Sequence, residues 1–286
     1  MRKTRKYIIF YSITIFSFLF LSGITGQDFQ KTLEFADRNY EKGNLDLAIK
    51  TYQRLAFFCE NREPTDIYLK IADISFEKGN YQSAQTYYGF AINLIENDTV
   101  KNELIFKKAF SEMLDKNFQF ALIDLLSIDS ATVISENKLN FYLGTCYFGL
   151  EDFKTSKLYF YRCINPTDSS KLNFLFSKKN IYSHSPKTAR IMSIIIPGSG
   201  QIYAGYNRAG INSLLLTSAL LIAGINSAFN YDPLYAIFSV APWYQRYFTG
   251  GYTKAEKLAE TRTKINRNKS FNKILKLIVE NADWQN

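Results

Sequence analysis

The sequence predicts an all-α protein: a solenoid of helical hairpins, then an apolar helical hairpin, then an amphipathic basic tail helix. Three observations support this fold class. A turn motif recurs every 35 to 37 residues in the middle of the chain, an uncharged apolar run covers residues 209–229, and basic residues alternate with apolar ones after residue 246. The chain has 286 residues, of which 47% are hydrophobic, and this is enough for a packed core and excludes a disordered protein.

The formal charge of +9 is distributed unevenly. Residues 1–27 carry +4, residues 28–165 carry −4 and residues 166–286 carry +9. The positive charge therefore flanks a mildly acidic middle. This distribution indicates membrane attachment, and we expect no nucleic-acid partner for an exported chain.

The first 26 residues have the pattern of a signal peptide. Four basic residues within positions 1–6 precede an apolar stretch at 7–22, and small residues follow up to Gly26. This pattern predicts export with cleavage near Gly26 or Gln27, and an uncleaved membrane anchor is the alternative. Under both interpretations, residues from 28 onward are expected in the cell envelope, on the periplasmic side.

The middle of the chain contains an internal repeat. The tetrapeptide Glu-Lys-Gly-Asn occurs at residues 41–44 and 77–80, and related turns follow at 116–117 and 151–152. A small residue precedes each turn by seven positions, and a bulky residue follows it by nine. The small residues are Ala36, Ala72, Ala109 and Gly144, and the bulky ones are Tyr52, Tyr88, Leu125 and Phe160. Small residues let the two helices of a hairpin approach closely, and bulky ones fill the groove against the next repeat.

This pattern resembles the tetratricopeptide repeat, a helix–turn–helix unit of about 34 residues. The resemblance covers residues 28–165 as four units, of which the third and fourth lack the turn glycine. It implies a right-handed solenoid whose concave face binds a protein or peptide client. The candidate contacts on this surface are Tyr40, Tyr52, Tyr68, Tyr81, Tyr87 and Tyr88. Core packing is the alternative role for these tyrosines, because most of them occupy repeat core positions.

A membrane-associated helical domain is predicted at residues 189–250, after a linker at 166–188. The nonapeptide Pro-Gly-Ser-Gly-Gln-Ile-Tyr-Ala-Gly at residues 197–205 precedes the apolar run. It resembles the PGxGQxYxG turn of a bacterial family of small membrane domains of uncharacterised function, which implies no catalytic residues. The motif residues are Pro197, Gly198, Gly200, Gln201, Tyr203 and Gly205. The glycines permit close backbone approach, and Gln201 and Tyr203 can hydrogen-bond the turn.

Two apolar stretches leave the membrane topology open. The run at 209–229 is about 31 Å long as a helix, which is enough to cross a bilayer core. The second stretch, residues 233–249, is interrupted by Pro242 and ends in aromatic residues around Arg246. The alternatives are a membrane-embedded hairpin, a single span and a soluble packed hairpin. Residues 251–286 are predicted to be a basic amphipathic tail beside anionic lipid, or else a solvated helix face.

The sequence does not predict catalytic chemistry. His184 is the single histidine, and three cysteines, Cys59, Cys146 and Cys163, do not suggest a disulfide framework. The glycines at 198–205 lack both the third glycine of a dinucleotide fingerprint and the lysine of a nucleotide-triphosphate loop. We therefore expect no catalytic residues, no metal and no cofactor.

These patterns together predict an exported, membrane-attached scaffold for protein–protein interaction. In this hypothesis the repeats bind a protein or peptide client, and the C-terminal helices and basic tail bind membrane lipid. The alternative is a membrane-acting factor whose C-terminal helical domain assists the insertion or transport of a client. The two hypotheses differ in which half of the chain carries the function.

Overall fold

The structure is a computed structural model that describes residues 29–58, 64–128 and 135–281. The predicted signal peptide and Cys59 lie outside these residues. Within the described ranges all regular structure is helical, which confirms the predicted fold class. The chain divides into two compact units, Met1–Glu151 and Asp152–Asn286, which we call the repeat unit and the C-terminal unit.

The division falls at the turn of the predicted fourth repeat. In the repeat unit the described helices are α1 (Phe29–Glu41), α2 (Leu45–Phe57), α3 (Thr65–Glu77), α4 (Tyr81–Ile92), α5 (Asp98–Leu114), α6 (Phe118–Leu126) and α7 (Glu136–Gly149). In the C-terminal unit they are α8 (Phe153–Arg162), α9 (Ser169–Leu175), α10 (Lys178–Ile181), α11 (Pro186–Ile195), α12 (Ser199–Tyr203), α13 (Asn207–Asn230), α14 (Pro233–Ser239) and α15 (Ala241–Asn281).

The turns of the repeat share one backbone conformation. Gly43 and Gly79 have left-handed φ angles of 76° and 73°, and Lys116 and Glu151 adopt the same conformation at 63° and 62°. In the first three turns, the amide of the following asparagine donates to a carbonyl five residues earlier, at 2.8 to 2.9 Å. This bond satisfies a carbonyl at the end of the first helix. The repeat geometry is therefore kept where the turn glycine is missing.

The core of the repeats uses the residues that the spacing singled out. All four small residues and all four bulky ones are buried, with Tyr52 at 1% exposure and Phe160 at 0%. In the first two hairpins, Ala36 and Tyr52 pack with Ile71 of α3, and Ala72 packs with Tyr88 in the next layer. The helical-hairpin prediction is thus confirmed at the level of packing.

Helix α15 is the spine of the C-terminal unit, and it packs against α9 to α14. Its inner face carries small residues four positions apart. Ala255 and Ala259 are fully buried against Ala189 of α11 and Ala204 after α12. One turn further, Thr263 donates a hydrogen bond to the carbonyl of residue 184 at 2.8 Å. Small side chains let these helices approach closely.

An apolar hairpin is formed by α13 against α14 and the first eleven residues of α15. The arms are antiparallel, because Ser213 near the base faces Gly251 while Gly224 faces Val240 further out. At the tip, the Asp232 side chain accepts a hydrogen bond from the amide of Leu234 and caps α14. We use the name apolar hairpin for residues 207–251.

Two segments differ in detail from the sequence expectation. Residues 166–188 were expected as a linker, and they hold a 3₁₀ turn (Pro166–Asp168), α9, α10 and the first residues of α11. The basic tail is not a separate helix, because α15 continues from the hairpin to Asn281. Pro242 lies in the first turn of α15, where its missing amide hydrogen costs no helical bond, so the break falls before it.

Candidate interaction surfaces

The six tyrosines proposed as partner contacts lie in different environments. Tyr52 and Tyr88 are buried in the repeat core. Tyr68 and Tyr87 form an aromatic cluster with Phe90, with ring centroids 5.4 to 6.0 Å apart. The remaining two do not join this cluster: Tyr81 packs beside Phe76, and Tyr40 is 44% exposed. The structure therefore brings together only two of the six at a partly accessible surface.

The buried tyrosines take part in a charged arrangement that sequence reasoning missed. Asp37 of α1 accepts hydrogen bonds from Tyr52 of α2 and from Lys70 of α3. The same arrangement recurs one repeat later with Asp73, Tyr88 and Lys107. We call these six residues the Asp–Lys ladder. A sequence signal for it existed, since each aspartate directly follows the small residue of its repeat and each lysine comes 33 or 34 residues later.

The ladder joins the first helices of consecutive hairpins. Burial raises the pKa of Asp37, but hydrogen bonds from Lys70 and Tyr52 outweigh it and hold this pKa below its ordinary value. Burial and the adjacent carboxylates raise the pKa of the Tyr52 and Tyr88 phenols, which therefore stay protonated and donate. The charged side chains are 37 to 51% exposed. Such solvated pairs contribute at most about 1 kcal/mol each to the stability of the repeat unit.

An apolar stripe on α6 is the second surface that sequence reasoning missed. Phe120, Ile123 and Leu126 are each more than half exposed, and their spacing places them on one side of the helix. On the opposite side, Ala121 and Leu125 are fully buried. We call the three exposed residues the α6 stripe. The sequence contained a signal for this stripe, because α6 is apolar on both faces and only one face can enter the core.

A buried carboxylate lies between α5 and α6. Glu112 is 4% exposed, and its Oε1 is 3.6 Å from Lys108 Nζ, which lies closer to Asp124, at 2.6 Å. Burial and the negative charge of Asp124 raise the pKa of Glu112 to about 7. Burial also raises the pKa of the Cys146 thiol on α7 to about 12, so this free cysteine is unreactive near neutral pH. Cys163 is likewise buried, and its Sγ donates to the Tyr159 carbonyl at 3.4 Å.

The glycines of the nonapeptide motif are needed for close packing. A Cβ on Gly200 would lie 1.9 Å from the Ala189 carbonyl oxygen of α11. One on Gly198 would lie 2.1 Å from the Gly210 carbonyl oxygen of α13. Gly198 and Gly205 also have left-handed φ angles of 92° and 83°. The motif is thus the point where α11, α12 and α13 meet.

Gln201 holds this junction together by hydrogen bonds. Its side chain is fully buried, its Oε1 accepts from Ser193 Oγ at 2.9 Å, and its Nε2 donates to the Gly251 carbonyl of α15 at 2.9 Å. Tyr203 accepts a hydrogen bond from the Ser185 amide, and Pro197 lies between α11 and α12. The structure brings the six motif residues together as a structural joint at the base of the apolar hairpin.

The apolar hairpin exposes most of its hydrophobic side chains. Only Gly210 and Thr217 of α13 are buried. Leu215, Ile222 and Phe229 are 62%, 66% and 85% exposed, and Phe238 near the tip is 78% exposed. Among the described helices, α13 alone is long and apolar enough to cross a membrane. Monomeric soluble proteins rarely expose an apolar patch of more than a few hundred Å².

The basic tail uses its apolar face for folding. Ile274 and Ile278 are fully buried, and the Phe271 ring lies 6.5 Å from that of Phe160. Arg267 donates to the Ile181 carbonyl at 2.8 Å and lies over an aromatic ring of the same unit. The accessible charge of the tail therefore comes from exposed lysines: Lys254, Lys257, Lys264, Lys269, Lys273 and Lys276.

His184 has a structural environment. Its ring packs edge-on against Tyr203, and its Nδ1 lies 3.0 Å from Ser183 Oγ. Burial and the nearby Arg262 charge lower its pKa. Asn266 of α15 donates to the same Ser183 oxygen at 2.9 Å, so this hydroxyl is tied to the spine. Across the described ranges, no group of three or more His, Cys, Asp or Glu side chains converges as a metal site.

Comparison with known proteins adds little to this description. No protein-family model matches the chain, and no curated protein matches its sequence. A crystal structure of the apo form of RapI aligns with 87% of this chain and 99% of its own, at 14% identity and a TM-score of 0.41. The fold therefore rests on the packing described above: repeated helical hairpins followed by an apolar hairpin on a long basic helix.

Proposed function

We propose that this chain is an exported scaffold that is attached to the membrane by its apolar hairpin and binds a protein partner through its repeat unit. The observation that carries the proposal is the exposed apolar surface of the hairpin. Between Arg208 and Arg246 the sequence contains one charged residue, Asp232, and it caps α14 at the tip. The 24 residues of α13 extend about 36 Å as a helix, compared with about 30 Å for a bilayer core.

The hairpin geometry supports a topology in which both ends lie on one side of the membrane. Its two arms are antiparallel, and their base is joined to α12 and α11 through Gln201 and Gly251. The rest of α15 returns along α9 to α11. If the repeats are exported, the basic tail is therefore periplasmic as well.

Membrane attachment is tested by fractionation. We expect the full-length chain to stay with membranes through high-salt and alkaline washes and to be released by detergent. A variant with Ile222→Lys and Phe229→Lys places charges on the exposed hairpin face and should lower membrane retention. Ile123→Lys and Leu126→Lys, on the exposed face of the repeat unit, form the matched control and should leave retention unchanged. Mature protein that is fully soluble without detergent contradicts the proposal.

The α6 stripe supports a protein partner on the repeat unit. Exposed aromatic and aliphatic side chains at one-turn spacing suit the packing of a partner helix. A photo-crosslinking residue at Ile123 should capture a discrete partner band in cells, and one at Gln82, an exposed polar position on α4, should not. Equal crosslinking at the two positions, or none at Ile123, argues against this surface.

The alternative, a membrane-acting factor, predicts a different result in a replacement experiment. Residues 186–286 are exchanged for an unrelated membrane anchor. If the protein is a scaffold, the exchanged chain retains the Ile123 crosslink and still functions in cells that lack the wild-type protein, because its repeat unit remains attached to the membrane. A membrane-acting factor loses the phenotype, because the hairpin itself performs the function.

A further inference from the structure

A groove at the base of the apolar hairpin carries a further inference. It lies between α13 and α15 and has a volume of about 360 Å³. Its polar lining includes Asn212, Ser213 and Thr217 on α13 and Arg246, Gly250 and Lys254 on α15. Within the described residues, neither Arg246 nor Lys254 has a carboxylate within ion-pair distance. The groove therefore presents two uncompensated positive charges beside hydroxyl and amide groups.

The spacing on α15 places the cationic side chains of Arg246 and Lys254 on one face of the helix. Arg246, Gly250 and Lys254 are four residues apart, so they lie on one face of the helix, with about 12 Å of axial rise between the two cations. Both side chains are long enough to reach a group above Gly250. An anion with several oxygen atoms fits between an arginine and a lysine.

No packing contact explains why residue 250 is a glycine. A Cβ at this position would meet no atom within 4 Å, whereas one on the adjacent Gly251 would lie 2.9 Å from Ser213 Oγ. Glycine is a poor helix residue, and here it lies inside the longest helix of the chain. Its effect is to leave the groove open between the two cations.

The depth of the groove matches that of a lipid headgroup. From Ser213, which faces Gly251, to Asn230 at the end of α13 is 17 residues, or about 26 Å of helix. This length is close to the thickness of a bilayer core, so the groove lies at one interface when the tip reaches the other. Leu216 and Tyr247 line the groove and are 49% and 43% exposed, and Trp243 follows one turn toward the tip. They provide an apolar surface for acyl chains.

We propose that this groove binds the phosphate headgroup of an anionic phospholipid, with Arg246 and Lys254 as its charged ligands and the acyl chains along the hairpin. The inference rests on the proposed membrane attachment and goes beyond it, since general adhesion to lipid needs no defined site. Free phosphate shares the same chemistry and is the competing source of the ligand.

The test uses the full-length chain in a neutral detergent, with native mass spectrometry as the readout. Dioctanoyl phosphatidylglycerol is titrated in parallel with inorganic phosphate. The wild type should bind the lipid saturably and at least tenfold more tightly than phosphate. Arg246→Gln with Lys254→Gln should weaken lipid binding at least tenfold. Lys257→Gln with Lys269→Gln removes the same charge elsewhere on the outer face of α15 and should change it less than twofold.

Gly250→Leu separates site occupancy from folding. Leucine favours helix and adds apolar surface, so this variant should unfold at a higher temperature and still lose the lipid. Equal lipid binding by both groove variants and the control pair overturns the proposal. Phosphate that binds as tightly as the lipid overturns the lipid assignment and favours a free anion. Failure of membrane attachment is recognised separately, because the wild type then fails to float with phosphatidylcholine vesicles.

Discussion

Glu112 shows how one residue makes stability depend on pH. Its folded pKa of about 7 lies above the ordinary value of 4.5, because the carboxyl is buried near Asp124. The folded state therefore binds the proton more tightly than the unfolded state does. The resulting stability is fully present below about pH 4.5 and is lost as the pH rises through about 7.

Glu112→Gln should remove this pH dependence. We expect the variant to be more stable than the wild type at pH 8.5 by about 1 to 3 kcal/mol, and the advantage should shrink toward pH 5. Urea unfolding followed by circular dichroism at both pH values measures the difference. Glu34→Gln, at an exposed position on α1, is the control. An unchanged pH profile in the Glu112 variant contradicts the prediction.

Alanine substitutions at Gly200 and Gly250 form a matched pair within the C-terminal unit. Gly200→Ala should destabilise the C-terminal unit by about 3 kcal/mol, since the new Cβ must move the Ala189 carbonyl away. Gly250→Ala meets open space and should raise stability by up to about 1 kcal/mol. Thermal unfolding in detergent compares the two variants. Equal melting temperatures would mean that the motif glycine does not set the packing distance.

At the scale of the element, the turns of the repeats keep one backbone conformation although the residue in the turn differs. Lys116 adopts the same left-handed conformation as Gly79, and a side chain in that conformation costs about 1 kcal/mol. The repeat tolerates this cost because both neighbouring helices are held by packing of Ala109 and Leu125 in the core. A missing turn glycine therefore weakens a repeat without ending it.

Lys116→Gly should stabilise the repeat unit by about 0.5 to 1 kcal/mol. Lys116→Ala removes the same charge without the conformational gain and is the control. Gly79→Ala should destabilise the repeat unit by about 1 kcal/mol. The whole effect should come from the backbone conformation, because the new Cβ would meet no atom within 4 Å. Denaturant midpoints of the three variants test these signs. A stabilising Gly79→Ala variant is the result that contradicts the account.

At the scale of the whole molecule, the proposed hairpin topology predicts on which side of the membrane Asn286 lies. A reporter enzyme that is active only outside the cytoplasm, fused after Asn286, should be active when the repeats are exported. The same reporter inserted at the tip, between Tyr231 and Asp232, should be inactive, because the proposed hairpin topology places the tip across the membrane. Inactivity at both positions, with the repeats exported, would indicate a single crossing by α13 and contradict the hairpin topology.

Particular residues show which parts of the fold were readable from the sequence. The 36-residue spacing placed Ala36 and Tyr52 in the core and predicted the helical hairpins of the repeats, because small and bulky residues at fixed distances from a turn define how two helices pack. The length of the apolar run likewise predicted α13. The roles of the tyrosines outside these core positions were not readable, since a phenol suits both a core and a binding surface.

By itself, the sequence determined the helical-hairpin repeat and the apolar helices, because their signals are local periodicities in side-chain size and polarity. The tertiary structure decided what depends on contacts between distant residues. It joined Asp37 to Lys70, buried Glu112 beside Asp124, and brought Arg246 and Lys254 to a groove against α13. It also turned the predicted tail into a continuation of the hairpin arm, whose apolar face packs inside its own unit. Such contacts depend on helix packing across the fold, which local periodicity does not specify.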